Sequence, residues 1–267
     1  MLKDITLGQF FPGTSLVHRL DPRTKLVTLV LYIVALFVAA GWISYAVCFV
    51  FLAVSIAISR IPLKALFHGL KPLVFVLVLT GILNIFFTPG EPIFTLGVVS
   101  VSMEGIVQAV RMMLRILMLI SATFLLTYTT SPISLTDGLE SLLSPLKAIE
   151  VPVHELSMMM CIALRFIPTL IEETDKIMCA QKARGADFES GNLFARVKAL
   201  IPILVPLFIS AFRRADELAT AMECRCYQGG EGRTKMKHLR YVGRDYVLYL
   251  VDILLVAGII VLVSFGL

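Results

Sequence analysis

Charge is scarce in this sequence: Asp, Glu, Lys and Arg make up 16% of its 267 residues against 58% hydrophobic, and the mean hydropathy is +0.88. So little charge excludes an ordinary soluble domain and indicates an integral membrane protein. Residue types that bind metals or do acid–base chemistry are also sparse. The histidines, His18, His68, His154 and His238, stand far apart, and His154-Glu155 lacks the second His of a zinc-binding helix. Cys48, Cys161, Cys179, Cys224 and Cys226 have no metal-ligand spacing, the last two being too close for the usual zinc pair. An intramembrane enzyme needs acids, histidines or metal ligands that converge at bilayer depth. None is expected here, nor is a metal or cofactor bound by this chain. Glu231-Gly232-Arg233-Thr234 is no phosphate loop, because no strand–GxxxxGK[ST]–helix context surrounds it. The net charge of +5 forms no stripe of the kind that binds RNA or DNA. No secretory leader is expected at Met1-Leu2-Lys3-Asp4, since the first long apolar run starts only after Lys25 and lacks a cleavage site.

What is present is a series of apolar runs divided by loops of uneven charge. Lys3, Arg19, Arg23 and Lys25 precede the first run and place that end in the cytoplasm, where loop Lys and Arg concentrate. Asp21 as N-cap and Pro22 at the first helical position predict where the helix starts. His18 reads as a solvated surface histidine. The stretch Leu26 to Ser59 is too long for one span and short for two. Gly41-Trp42 breaks it, predicting spans at 25–40 and 43–59 or a re-entrant hairpin. Arg60, Lys64, His68 and Lys71 form a basic cytoplasmic loop, and Pro72 to Phe87 crosses outward with Asn84 as a packing residue able to bond a neighbouring helix. Residues 88–105 contain no Lys or Arg and mark an external loop with a β-leaning patch, Ile93 to Val101. The next helix begins near Met103-Glu104 and passes Arg111 and Arg115, four apart on one face. Two readings stand: a functional pair at bilayer depth, or a pair above the hydrocarbon that snorkels and meets Glu104. Tyr246 to Leu267 forms the last span and carries Asp252, either interfacial or paired with a buried Arg.

From Ser131 to Tyr246 basic and acidic residues alternate too densely for lipid, which predicts a large cytoplasmic segment. Its helices nonetheless carry wide apolar faces. Leu156, Met159, Met160, Ala163, Phe166, Ile167, Leu170 and Ile171 recur at helical spacing. Ala199 to Phe212 is nearly all apolar, but short and interrupted by Pro202 and Pro206. Such helices suit a platform along the inner face of the membrane. Met158, Met159 and Met160 offer either core or a soft, repackable partner surface. Two helices are expected, Val153 to Ala183 and Leu193 to Glu223, each ending in an Arg-centred turn, Ala183-Arg184-Gly185 and Cys224-Arg225-Cys226. Gly185 fits the left-handed stop residue; Cys226 does not, which shifts the second stop to Gly229-Gly230. The tail Gly232 to Arg240 is basic enough to rest on anionic head groups.

Ala183-Arg184-Gly185, and Met222-Glu223-Cys224-Arg225-Cys226-Tyr227 followed by Gly229-Gly230 and Gly232-Arg233-Thr234, in an all-helical membrane chain of this length, resemble the transmembrane T component of energy-coupling factor transporters. The resemblance covers essentially the whole chain. It implies a non-catalytic scaffold of an ABC-type importer for vitamins or other micronutrients, transition-metal ions included. The scaffold would join two cytoplasmic ABC ATPases, which hold ATP-Mg, to a small hydrophobic substrate-binding membrane subunit. Arg184 and Arg225 would dock in grooves on the ATPases, flanked by Ala183, Gly185, Cys224 and Cys226. Cys224 and Cys226 stand where Ala and Gly are commoner, a departure that alters the turn and keeps the charge. Met158, Met159 and Met160, with Arg111 and Arg115, would contact the substrate-binding subunit. The implied fold is an all-α polytopic membrane protein with about five transmembrane helices and long cytoplasmic amphipathic coupling helices. Residues 1–130 would hold four spans, 131–245 the coupling platform and 246–267 the last span. A bacterial cell membrane, a cytoplasmic N-terminus and an external C-terminus follow. The rival reading is a substrate-translocating permease of another ABC importer, whose cytoplasmic loop also runs helix–Gly–helix, here Gly185 and later Ile201-Pro202.

Overall fold

The computed structural model describes residues 10–88, 92–96, 99–186, 188, 192–229 and 239–265. Of the expected features, Gly230 and most of the basic tail, residues 232–238, lie outside them, as do Met1 to Asp4 and Glu91. The elements run α1 (Pro22–Val38), α2 (Trp42–Ser59), α3 (Leu63–Leu70), α4 (Val74–Phe87), β1 (Pro92–Leu96), β2 (Val99–Ser102), α5 (Met103–Thr129), α6 (Pro132–Leu143), α7 (Val153–Ala183), α8 (Leu193–Glu223) and α9 (Gly243–Ser264). Short 3-10 turns join α3 to α4 and α6 to α7. The two strands pair antiparallel, Leu96 opposite Val99, and are the only departure from an all-α polytopic architecture among the described residues.

The helix boundaries follow local chemistry. Asp21 has extended backbone and its carboxylate accepts from the Arg23 amide at 2.9 Å, so α1 begins at Pro22 as the capping signal predicts. Gly41 separates α1 from α2, and Ser102 caps α5 by accepting from the Gly105 amide at 3.0 Å. Where a basic loop is expected after Arg60, the chain forms α3 instead. Leu66 and Leu70, four apart, are buried, while Lys64 stays exposed. Asn84 does not reach a neighbouring helix; its amide donates to the Thr80 carbonyl one turn back at 2.9 Å.

Among the described residues, five helical segments are long and apolar enough to cross a membrane: α2, the α3–α4 segment Leu63–Phe87, α5, α7 and α9. The number matches expectation, but the set differs. α1, with 17 residues, is one residue shorter than the shortest of these five and stands at the lower limit for a span, and α7 qualifies because its charges crowd into its C-terminal half. By its contacts the chain forms two compact units, residues 8–138 with 239–267, and residues 1–7 with 139–238.

In the first unit α4 packs along α5 and α1 along α9. Tyr32, Leu36, Tyr45, Cys48, Met118 and Ile259 form its centre. The Tyr32 hydroxyl donates to the Cys48 carbonyl at 3.2 Å, and its ring stacks on Phe51 at 5.7 Å. A polar staple closes one end. Asp245, 2% exposed, accepts from the Asp21 amide (3.0 Å) and the Val242 amide (2.8 Å), tying the start of α1 to the start of α9. Lys25 donates to the Thr129 carbonyl (2.9 Å) and Thr130 Oγ1 (3.1 Å), joining the end of α5. Arg23 donates to the Leu239 carbonyl at 2.8 Å and covers the Tyr241 ring. Deeper in the unit, Asp252 accepts from the Thr28 hydroxyl at 2.6 Å and is buried, so its partner is a hydroxyl on α1. His18 is not free in solvent either: Nδ1 lies 2.6 Å from Ser15 Oγ and Nε2 lies 3.0 Å from the Phe11 carbonyl. Burial pushes its imidazole below the usual value, against the Phe11 bond and with the nearby Lys25 ammonium.

Candidate functional site

The second unit holds the two longest helices, α7 and α8, 31 residues each. Prolines 168, 202 and 206 sit inside them without ending them. The pairing contacts give their relative direction. Gln181 on α7 reaches the Pro202 carbonyl on α8, Glu173 meets Ser210 and Arg214, and Phe166 lies under the Arg214 guanidinium at 5.6 Å. Higher numbers on one helix meet lower numbers on the other, so the pair is antiparallel. Glu173 is the centre of the crossing: one oxygen accepts from Ser210 and the other from Arg214 at 2.9 Å. Beside it a cleft of about 250 Å³ runs between the helices, lined by Ile162, Phe166, Leu170, Leu218 and Met222 among others. At the start of α7, Glu140 on α6 accepts from Ser157 at 2.9 Å and stands 3.2 Å from His154 Nδ1.

Both helices end in the same hydrogen-bond pattern. After α7, the Gly185 amide donates to Lys182 O (3.0 Å) and the Ala186 amide to Gln181 O (3.0 Å). After α8, the Cys226 amide donates to Glu223 O (2.8 Å) and the Tyr227 amide to Met222 O (3.1 Å). These paired bonds from the third and fifth residues onward form a Schellman cap, which turns the chain through one left-handed residue. That residue is Gly185 at φ +88° in the first cap and Cys226 at φ +56° in the second. The second stop is therefore at Cys226 and not at Gly229-Gly230. A side chain can hold the left-handed position at a cost of about 1–2 kcal/mol, which the two cap bonds offset. A Cβ on Gly185 would meet nothing within 4 Å, so its glycine serves the backbone angle and not a close approach.

Each cap places one arginine immediately before its left-handed residue. Arg184 and Arg225 are exposed, as are Ala183, Cys224 and Cys226. A guanidinium at a helix C-terminus is favoured by the helix dipole and presents a fork suited to carboxylates and carbonyls. Because the helices are antiparallel, the caps point away from each other. At 1.5 Å per residue Arg184 lies about 16 Å beyond Glu173 and Arg225 about 16–22 Å beyond its α8 partners, so the tips stand up to about 38 Å apart. The site is two separate prongs.

The remaining candidate residues divide between the units. Met159 and Met160 are exposed on α7 and Met158 half-buried, beside exposed Leu156. On α8 the exposed residues Val197, Ile201, Leu204, Val205, Phe208 and Phe212 follow helical spacing. Arg111 and Arg115 belong to the other unit, against the α1–α2 turn, and among the described residues neither pairs with Glu104 or any other acid. Sequence reading missed the Glu173–Ser210–Arg214 clasp and the Glu140–His154–Ser157 cluster. No local spacing signals contacts between residues so far apart.

Apolar spanning helices and a pair of helices with matched, exposed, arginine-bearing ends define a multi-pass membrane protein. Residues 13–236 match the family described as cobalt transport protein, CbiQ. The chain is 54% identical over 257 residues to the energy-coupling factor transporter transmembrane protein EcfT of Thermosediminibacter oceani, covering 96% of this chain and 97% of that protein. It is 51% identical over 262 residues to that of Ruminiclostridium cellulolyticum (98% of each) and 52% over 246 residues to that of Bacillus subtilis (92% and 93%). The chain belongs to this family, the transmembrane components of energy-coupling factor transporters.

Proposed function

We propose that this chain is the non-catalytic scaffold through which two cytoplasmic ABC ATPases drive an importer for a vitamin or other micronutrient. Arg184 docks on one ATPase and Arg225 on the other, each against a carboxylate or backbone carbonyl. The ATPases hold ATP-Mg. The exposed apolar faces of α7 and α8, with Met158, Met159 and Met160, receive a small hydrophobic substrate-binding membrane subunit. The observation that carries this reading is the repetition of one cap, arginine included, at the far ends of an antiparallel helix pair. Two motors that close on ATP would move two such ends relative to each other. The Glu173–Arg214 clasp at the crossing keeps the helices together, so the motion reaches the faces above.

This reading requires α7 and α8 to lie along the cytoplasmic face, since an antiparallel pair that crossed the bilayer would put Arg184 and Arg225 on opposite sides. With α1, α2, α3–α4 and α5 crossing, an N-terminus in the cytoplasm brings residues 131–242 back inside and sends the C-terminus out. Native thiols test it, because Cys179 is exposed five residues before Arg184, and Cys224 and Cys226 flank Arg225. In single-thiol variants, a membrane-impermeant maleimide should label Cys179 and Cys224 in inside-out vesicles and neither in right-side-out ones. Labelling from opposite sides would overturn the proposal.

A further inference from the structure

Arg111 and Arg115 sit one turn apart on α5, and the proposed coupling role leaves them unused. The Arg115 guanidinium donates to the Ala39 carbonyl at 3.2 Å and lies 5.4 Å from the Phe37 ring and 5.7 Å from Tyr45. That of Arg111 lies 5.5 Å from the Trp42 ring. Aromatic faces attract these cations but take none of their hydrogen bonds. The Nε–H of both arginines is buried with no acceptor among the described residues. Between them and the α1–α2 turn lies a cavity of about 250 Å³, bordered by Ala39, Ala40, Tyr45 and Gln108. Two like charges four residues apart on one helix face, both lining one cavity and each with a buried donor unmet, are a poor arrangement unless an anion enters it.

The depth of the cavity says which anion. α1 spans 17 residues, about 25 Å at 1.5 Å per residue, so the turn at its end sits near one edge of a hydrocarbon layer about 30 Å thick. α5 continues about 12 Å beyond Arg111 to Met103. Trp42 and Tyr45 are the residue types that settle at that edge. Phe37 and Trp42, 61% and 48% exposed, continue the apolar surface beside the cavity. A lipid whose phosphate entered the cavity would lay its glycerol and acyl chains on that surface, which a free phosphate ion would leave bare.

We propose that this cavity binds the phosphodiester of an anionic phospholipid, in the leaflet at the α1–α2 turn. Guanidiniums grip phosphate oxygens through paired N–H donors, and a basic pocket between spanning helices suits such head groups. The full chain, purified in mild detergent, is titrated with phosphatidylglycerol or phosphatidylcholine and bound lipid is counted by native mass spectrometry. Phosphatidylglycerol should bind about tenfold more tightly, since both lipids offer the same phosphodiester but the quaternary ammonium of phosphatidylcholine stands against the two guanidiniums. Arg111→Gln should remove that preference with the melting temperature unchanged, because Arg111 makes no hydrogen bond to protein among the described residues. Arg111→Lys, which keeps the charge without the fork, should reduce it less, and serves where Arg111→Gln does not fold. Equal affinity for both lipids in the wild type, or a preference undiminished in the variants, would overturn the site. Inorganic phosphate that binds with the same arginine dependence while phosphatidylglycerol fails to displace it would overturn the lipid assignment.

Discussion

The two units of this chain are held together by opposite means. In the unit of residues 8–138 and 239–267, polar groups are withdrawn from solvent and used as fasteners: Asp245, Lys25 and Asp21 are all under 9% exposed, and their bonds join α1, α5 and α9 at one end. In the unit of residues 139–238 the charged clasp is half open, Glu173 and Arg214 being 25% and 28% exposed, and a pair of that kind contributes at most about 1 kcal/mol. The long helices there leave their apolar faces and both arginine tips uncovered. The first unit keeps its fasteners out of water. The second keeps its charged clasp partly in solvent and both arginine tips at the surface. Substitutions should therefore separate the two: changes in the first unit lower stability, and changes at the tips of the second lower assembly while stability holds.

The largest expected effect is at the tips. Under the proposed docking, Arg184→Ala and Arg225→Ala each remove one partner of a buried charge contact, at a cost of about 2–5 kcal/mol, or about 30-fold to several thousand-fold in affinity. Affinity purification of the tagged chain should recover the ATPases from wild type, less of them from either single variant and none from the double variant. The melting temperature of the isolated chain should not move, because both side chains are exposed. Full ATPase recovery with the double variant would break the comparison, and so would a drop in melting temperature equal to the loss of binding.

Next comes the staple. Asp245→Ala leaves the Asp21 and Val242 amides without their acceptor in a buried site, at a cost of about 2–4 kcal/mol. In a chain of this size that should lower the melting temperature by roughly 5–15 °C. The ATPases should still be recovered from the folded fraction. A melting temperature within a degree of wild type would mean that water already satisfies those amides, and the contrast between a closed and an open unit would lose its footing.

How much of this was legible in the sequence depended on range. Asp21-Pro22, Gly41-Trp42 and the ends of α7 and α8 are local signals, and the helices start and stop where those signals lie. In α3 two signals compete: Arg60, Lys64, His68 and Lys71 spell a basic loop, while the four-residue spacing of Leu66 and Leu70 spells the helix that forms. The long-range contacts were not legible. Asp245 meets Asp21 across 224 residues and Glu173 meets Arg214 across 41, and no periodicity within one helix points to either. Asp252 shows the same limit: the sequence leaves it interfacial or paired with a buried Arg, and only the packing of α9 on α1 selects the Thr28 hydroxyl. The site was half legible, since both arginine turns were visible, whereas the antiparallel pairing that sets them apart was not.

The smallest predicted effect bears on the stop of α8, a second place where local reasoning failed. Glycine was expected at the left-handed stop, yet Cys226 occupies it with the same cap bonds that Gly185 supports. The left-handed angle costs a side chain about 1–2 kcal/mol, and glycine loses about 0.5–1 kcal/mol in extra chain entropy, so Cys226→Gly should stabilise its cap by about 0.5–1 kcal/mol. Gly185→Ala should weaken the other cap by a similar amount, since no contact hinders the added methyl group and only the backbone angle opposes it. Hydrogen exchange reads this directly. Amides 226 and 227 should exchange about two- to fivefold more slowly in Cys226→Gly, and amides 185 and 186 faster by a like factor in Gly185→Ala. Faster exchange in Cys226→Gly would mean that the thiol side chain itself holds the second tip, so that the two prongs share a backbone pattern and differ in what maintains it.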